Sequence, residues 1–139
     1  MKVDIKWDGD LRFTGTSGTG HKVTMDTISK NGGTDQGPSP MEYVLMGLGG
    51  CSGIDVVLML KKMHQSATDC LISIEADRAT TEPKVFTKIH LRYTVVGTDL
   101  SQERVEHAVQ LSTEKYCSVS AMLDKTAEIS HEVIIVEAD

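Results

Sequence analysis

Apolar and polar positions alternate through the first part of the chain. "VDIKW" and "LRFTG" flank "DGD", and Asp-Gly between two alternating runs predicts a β-hairpin with a two-residue turn, because both central residues of that turn need positive φ. "HKVTMD" continues the alternation as a third short strand. "TISKNGGTDQGP" has no period and many Gly and polar residues, which predicts a loop and a plain surface connection. The pattern then changes. Ser39, Pro40 and Glu42 spell a helix start: a hydroxyl to cap the free N–H groups, a proline suited to the first turn, and a carboxylate that reaches back three residues. From Pro40 to about Gln65 only Glu42 and Asp55 interrupt the apolar residues before Lys61. A helix apolar nearly all round is buried on most sides. One short chain has little of itself left to wrap such a helix, so a homodimer is expected.

Beyond the helix, "CLISIEADRATTEPKVFTKIHLRYTVVG" predicts two long strands joined by "TTEPK", with Ile72, Ile74 and Ala76 alternating on the first and Val85, Ile89, Leu91, Tyr93 and Val95 on the second. "SQERVEHAVQLSTEKYC" is an amphipathic helix with Val105, Ala108, Val109, Ser112 and Tyr116 on one face. "SVSAMLDKTAEI" predicts a second, shorter helix with Ser118 as its N-cap, and "EVIIVEA" a closing strand. Strands, a long helix, strands, short helices and a strand define an α+β protein: antiparallel sheets packed around a long buried central helix. No internal repeat or low-complexity segment divides residues 1–139, a length suited to a single domain.

Composition narrows the function classes. Hydrophobic residues make up 40% and charged residues 24%, with a formal net charge of -6. An acidic chain is a poor fit to a nucleic-acid or anionic-membrane surface, both of which need clustered Lys and Arg. No apolar run reaches the roughly 18 residues of a membrane span, so no membrane partner is expected. "MKVDIKWDGD" carries no apolar signal-peptide core, which makes the cytoplasm the expected compartment. Seven Met against 4% aromatics suggest a Met-filled core.

Three cysteines, Cys51, Cys70 and Cys117, are an odd number without C-x-x-C spacing. That argues against a structural disulfide framework and a paired-ligand zinc site. No metal site is expected, since the five histidines (His21, His64, His90, His107 and His131) lack ligand spacing to any cysteine. Cys51 lies among Gly47, Gly49, Gly50 and Gly53. Each glycine costs a helix interior roughly 0.5–1 kcal/mol against alanine, so the cluster needs a reason. Two reasons stand side by side: close packing on a bare helix face, and a thiol kept reachable in a crowded core. Asp55 follows Cys51 by one helical turn and shares its face. Cys117 precedes a helix, whose N-terminal partial charge favours a thiolate, with Lys115 nearby; the competing reading, an ordinary cysteine at a helix junction, is the one its position favours. Cys70 opens a strand and reads as an ordinary small apolar residue. Two cysteines on or beside helices that pack together raise the idea of a reversible pair, in which one thiolate becomes a sulfenic acid on a peroxide and the second thiol condenses with it.

"SPMEYVLMGLGGCSGIDVVLMLKK" and "LSTEKYCSVSAML" resemble the two signature segments of the OsmC/Ohr family, the osmotically inducible protein C and organic hydroperoxide resistance proteins. The likeness extends over most of the chain, and its details are nearest to a less-characterised OsmC-like branch. It implies an intertwined α+β homodimer with its active sites at the dimer interface. It also implies that Cys51 attacks a hydroperoxide, that Cys117 resolves the product, that a small dithiol or lipoyl-type donor reduces the pair, and that no cofactor or metal takes part. The family's peroxidases place a glutamate directly after the helix-starting proline. Here Met41 stands there and Glu42 follows. They also supply an arginine from the N-terminal loops, whereas "GTSGTGHKVTMD" has none, leaving His21 or Lys22 as the cations of that loop. Ser118 stands where the family often has a proline.

The expected function is therefore a thiol-dependent peroxidase acting on organic or inorganic hydroperoxides through Cys51 and Cys117, with Glu42 and His21 as supporting residues. The alternative is an OsmC-like dimer without strong peroxidase activity that binds a small apolar or electrophilic molecule near Cys51.

Overall fold

The computed structural model describes residues 1–139, which divide into two compact units, Met1–Met46 and Gly47–Asp139. The architecture is α+β, as the element order predicts.

The first unit is a meander of β1 (Val3–Trp7), β2 (Phe13–Ser17) and β3 (Lys22–Met25), followed by a loop with one 3-10 turn at Ser29–Asn31 and by the opening turns of α1 (Pro40–Lys62). Pairing Trp7 with Phe13 leaves Asp8 to Arg12 as the connection, so the turn is longer than the two residues expected from "DGD". Gly9 and Asp10 do take positive φ, and the Trp7 indole N–H donates to the Asp10 carbonyl at 2.8 Å, which closes the wider loop. Period-2 alternation puts Ile5, Trp7, Phe13, Val23 and Met25 on one face of the sheet. At its centre, a Cβ built on Gly15 would lie 3.3–3.5 Å from Val23, Ile5 and Met25. The bare backbone lets those three side chains close over it. This apolar face is uncovered: Ile5 is 55% and Trp7 64% exposed.

The loop after β3 is more than a plain connection. Asp26, 2% exposed, gathers it. Its carboxylate accepts the Thr27 N–H at 2.7 Å, the Thr34 hydroxyl at 2.8 Å and the Gln36 N–H at 3.1 Å. These bonds favour the charged form and hold the Asp26 carboxyl down at about 2, the Thr27 N–H contributing most.

The second unit contains the rest of α1 and a sheet of order β4-β5-β6, from β4 (Ser66–Arg78), β5 (Phe86–Thr98) and β6 (Glu128–Glu137). β4 and β5 form the expected long antiparallel hairpin. β6, however, runs parallel to β5, Lys88 opposite Glu128 through Gly97 opposite Glu137, so this sheet is mixed rather than antiparallel. The reason is the crossover. α2 (Gln102–Leu111), a π turn (Ser112–Tyr116) and α3 (Ser118–Leu123) carry the chain back before β6 begins, and parallel strands need such a connection. Ile89, Leu91, Tyr93 and Val95 of β5 and Val105, Ala108 and Val109 of α2 are buried with Leu48, Val56 and Leu60 of α1. Each fully buried aliphatic side chain contributes about 1.5–3 kcal/mol. Tyr116, expected on the buried face of α2, is 50% exposed because the π turn breaks the 3.6-residue period before it.

α1 buries one stripe, Leu48, Ser52, Val56 and Leu60, at intervals of one turn. Its other flank is open, with Ile54 65%, Leu58 51% and Met46 52% exposed. Within a single chain the helix is thus half covered, not buried all round. It is also long and apolar enough, by length and composition, to cross a membrane, which corrects the expectation that no run reaches that length. Asp55 and the small residues interrupt the run without lowering its mean below that of a span. The glycines divide in the same way. A Cβ on Gly49 would lie 3.1 Å from Ile74 Cδ1, and one on Gly53 3.1 Å from Ile72 Cδ1, whereas Gly47 and Gly50 face open space. Two glycines therefore serve close packing on β4, and two do not.

Candidate active site

The two cysteines singled out above come together. Cys51 sits mid-helix in α1, and Cys117 sits between the π turn and α3. Both are free thiols, and Cys51 is near enough to Cys117 to perturb its thiol. Cys117 is buried at 3% exposure, while Cys51 is half-buried. Burial, with the neighbouring Cys51 as a smaller cause, pushes the Cys117 thiol up to about 11. Cys117, rather than Ser118, is the N-cap of α3: its sulfur accepts the Ser120 N–H at 3.4 Å, which pulls in the opposite direction without overcoming burial. Cys117 is therefore favoured as the neutral thiol. The helix N-terminus does not make Cys117 the thiolate that its position suggested, because α3 is short and its cap lies out of water.

Cys70 is separate from this pair in role. It lies within β4 opposite Val95, and burial together with the Asp69 carboxylate raises its thiol pKa. Glu42 closes the predicted capping box: its carboxylate accepts the Ser39 N–H at 2.9 Å and the Ser39 Oγ accepts the Glu42 N–H at 3.3 Å. The first of these bonds does most to lower the Glu42 pKa. His21 is exposed at the β2–β3 turn, where its Nδ1 lies 3.0 Å from Thr19 Oγ1 and its N–H donates to Ser17 Oγ at 3.1 Å. No three His, Cys, Asp or Glu side chains gather as metal ligands.

Sequence reasoning missed the polar chain beside the thiols. Tyr93 Oη lies 2.6 Å from Ser52 Oγ, Ser52 Oγ lies 2.9 Å from Ser112 Oγ, and Ser112 Oγ lies 3.2 Å from Asp55 Oδ2. Three protons satisfy these contacts when each hydroxyl donates onward to the Asp55 carboxylate. Tyr93, Ser52 and Ser112 are all at 0–1% exposure, and burial pushes the Tyr93 phenol up to about 12, which keeps it a donor. Asp55 is therefore a hydrogen-bonded carboxylate rather than a lone charge facing Cys51. The available signal was modest: Ser112 on an otherwise apolar α2 face, and Ser52 one turn from Val56.

The structure thus brings a thiol on a helix near a second thiol at a helix cap, in an α+β frame. The chain belongs to the OsmC-like protein family, whose description matches residues 33–132 and so extends into both units. It is similar to Protein YhfA of Escherichia coli strain K12, at 46% identity over 138 residues, covering 99% of this chain and all of that one. Among solved structures, a hypothetical protein from Aquifex aeolicus VF5 is 34% identical, with a TM-score of 0.81, covering 97% of this chain and 96% of the other. An organic hydroperoxide resistance protein OsmC from Legionella pneumophila shares the fold at 18% identity, with a TM-score of 0.70 and coverage of 96% and 97%.

Proposed function

We propose that this chain is a thiol-dependent peroxidase that reduces organic or inorganic hydroperoxides through Cys51 and Cys117. The observation that carries the reading is the placement of Cys51, on α1, near Cys117, at the cap of α3, with both thiols free. The Cys51 thiolate attacks the terminal peroxide oxygen, the O–O bond breaks, and the leaving alkoxide takes a proton to become an alcohol. Cys51 is then a sulfenic acid. The Cys117 thiol attacks its sulfur, the S–O bond breaks, and water leaves as the disulfide forms. A small dithiol or lipoyl-type donor reduces the disulfide and becomes oxidised itself. Without an arginine in the β2–β3 loop and with Glu42 engaged at the helix cap, turnover is slow.

The same reading makes the protein a cytoplasmic homodimer. Two apolar faces support this: Ile5, Trp7 and Phe13 on the first sheet, and Met46, Ile54 and Leu58 on α1, all uncovered. A second copy covers such faces at no cost in new surface chemistry.

Mass spectrometry of wild type, Cys51→Ser and Cys117→Ser after one equivalent of hydroperoxide tests the mechanism. Wild type gives a Cys51–Cys117 disulfide with Cys70 free. Cys117→Ser gives a sulfenic acid trapped by dimedone. Equal peroxide consumption by wild type and Cys51→Ser would remove the reading.

One observation favours the second reading, a dimer without strong peroxidase activity that binds a small apolar or electrophilic molecule near Cys51, although Cys51 itself does not line the hollow concerned. A hollow of about 480 Å³ is lined by Gly50, Gly53, Ile54, Val57 and Cys70. Material carried through purification, identified by mass spectrometry, with no peroxide turnover, would select it.

A further inference from the structure

We propose that Ser112 is a positioning residue that fixes the second thiol against the first, and so sets the rate at which the disulfide closes. The inference rests on the two-cysteine reading and concerns how that site is held together.

Ser112 joins the two segments that carry the thiols. On one side, its carbonyl accepts the Cys117 N–H at 2.8 Å. That bond spans five residues and is the one that closes the π turn, Ser112–Tyr116, immediately before Cys117. On the other side, its hydroxyl lies 2.9 Å from Ser52 Oγ and 3.3 Å from the Ser52 carbonyl oxygen, on the residue next to Cys51. One residue therefore links the two cysteine-bearing segments, through its own carbonyl to the Cys117 N–H and through its hydroxyl to the Ser52 hydroxyl. Ser112 is completely buried, so no water competes for either bond.

The sequence around it fits the same purpose. A regular helix continuing from α2 would close one residue earlier than this turn does, which would rotate Cys117 by about 100° around the axis. The π turn re-aims Cys117, and the Ser112 hydroxyl anchors the turn to α1. Asp55 takes part from the helix side. Its carboxylate, 3.2 Å from the same hydroxyl, accepts from it and keeps it at the junction.

Disulfide closure demands this kind of control. The sulfurs must meet with Cα atoms within roughly 7 Å and a dihedral near 90°. Attack on peroxide demands nothing of Cys117. Loss of Ser112 should therefore divide the two steps. A residue that merely stabilised the core would lower the melting temperature without separating them.

The experiment measures two rates in Ser112→Ala and wild type. The first is sulfenic acid formation at Cys51 with one equivalent of hydroperoxide, read by dimedone trapping. The second is closure of the Cys51–Cys117 disulfide, read by mass spectrometry after quenching. Ser112→Ala is expected to form the sulfenic acid within about twofold of wild type and to close at least tenfold more slowly, with the dimedone adduct accumulating. Tyr93→Phe, which removes the far end of the same hydroxyl chain but neither Ser112 bond, should close like wild type. Equal slowing in Tyr93→Phe, or unchanged closure in Ser112→Ala, overturns the proposal. If Ser112→Ala does not fold, the double variant Ser52→Ala/Tyr93→Phe removes the 2.9 Å partner and its neighbour together. It should close several-fold more slowly, and wild-type closure overturns the proposal. A parallel arm uses diamide, a thiol oxidant that needs no peroxidase activity. If peroxide produces no sulfenic acid in any protein, the peroxidase reading fails, and the diamide arm still reads whether Ser112 sets closure. Failure of wild type to form the Cys51–Cys117 bridge with diamide overturns the proposal itself.

Discussion

Cys51 of α1 neighbours Cys117 at the cap of α3, and Cys117 is held as the neutral thiol. Burial is the larger cause, and the neighbouring Cys51 adds to it. In the proposed mechanism this neutral thiol reacts with the Cys51 sulfenic acid rather than with the oxidant itself.

The Cys117 titration gives a first prediction. The raised pKa means that the neutral thiol is favoured in the folded state. The stability this contributes is complete below the unfolded value of about 8.5 and is lost as pH rises toward about 11. In a Cys51→Ser/Cys70→Ser protein, where burial still acts, alkylation of Cys117 by iodoacetamide should keep accelerating up to at least pH 10. A plateau near pH 8 would show that Cys117 is an ordinary exposed thiol.

The position of Cys51 on a helix and of Cys117 just before one, the capping box of Ser39 and Glu42, and the β4–β5 hairpin were legible in the residues, since period and capping chemistry are local. Three features were not. The parallel β5–β6 pairing depends on where α2 and α3 return the chain, which no local pattern encodes. The π turn replaces an i→i+4 bond by an i→i+5 bond without a residue signature. The contact between Ser52 and Ser112 joins residues far apart in the chain, and each alone reads as a small tolerated polar residue.

Asp26 supplies an acid-side prediction. Its carboxyl is held at about 2 by the Thr27, Thr34 and Gln36 bonds, well below the usual value. The folded carboxylate contributes stability above the unfolded pKa of about 3.9, and that contribution is lost as pH falls through about 2. Amide exchange at Thr27 and Gln36 should accelerate between pH 4 and pH 2, by roughly tenfold per unit in the linkage limit. Asp26→Asn should show the faster exchange already at pH 6. Unchanged exchange in that variant would mean that the loop is held by something other than Asp26.

Two adjacent glycines of α1 make opposite predictions. Gly50 faces open space, and Gly49 meets Ile74 Cδ1 at 3.1 Å from where a Cβ would stand. Gly50→Ala should gain about 0.5–1 kcal/mol from helix propensity. Gly49→Ala gains the same term but must push Ile74 aside, so its net effect should be near zero or destabilising. Urea unfolding of the two variants measures the difference. A loss of stability in Gly50→Ala alone would place another backbone against that side of the helix.

The uncovered flank of α1 bears on assembly. Ile54 is 65% and Leu58 51% exposed on a helix whose opposite stripe is buried. Leaving such side chains in water forgoes about 25 cal/mol for each Å² of apolar area that a partner would cover. Sedimentation of wild type at micromolar concentration should show one species at twice the 15.1 kDa chain mass. Ile54→Glu places a charge on the exposed flank without touching Leu48, Ser52, Val56 or Leu60, so the folded unit should persist while the dimer dissociates at least tenfold more readily. Circular dichroism distinguishes a folded monomer from an unfolded chain. A wild type that sediments as a folded monomer would refute the dimer and leave the apolar flank of α1 for a different partner.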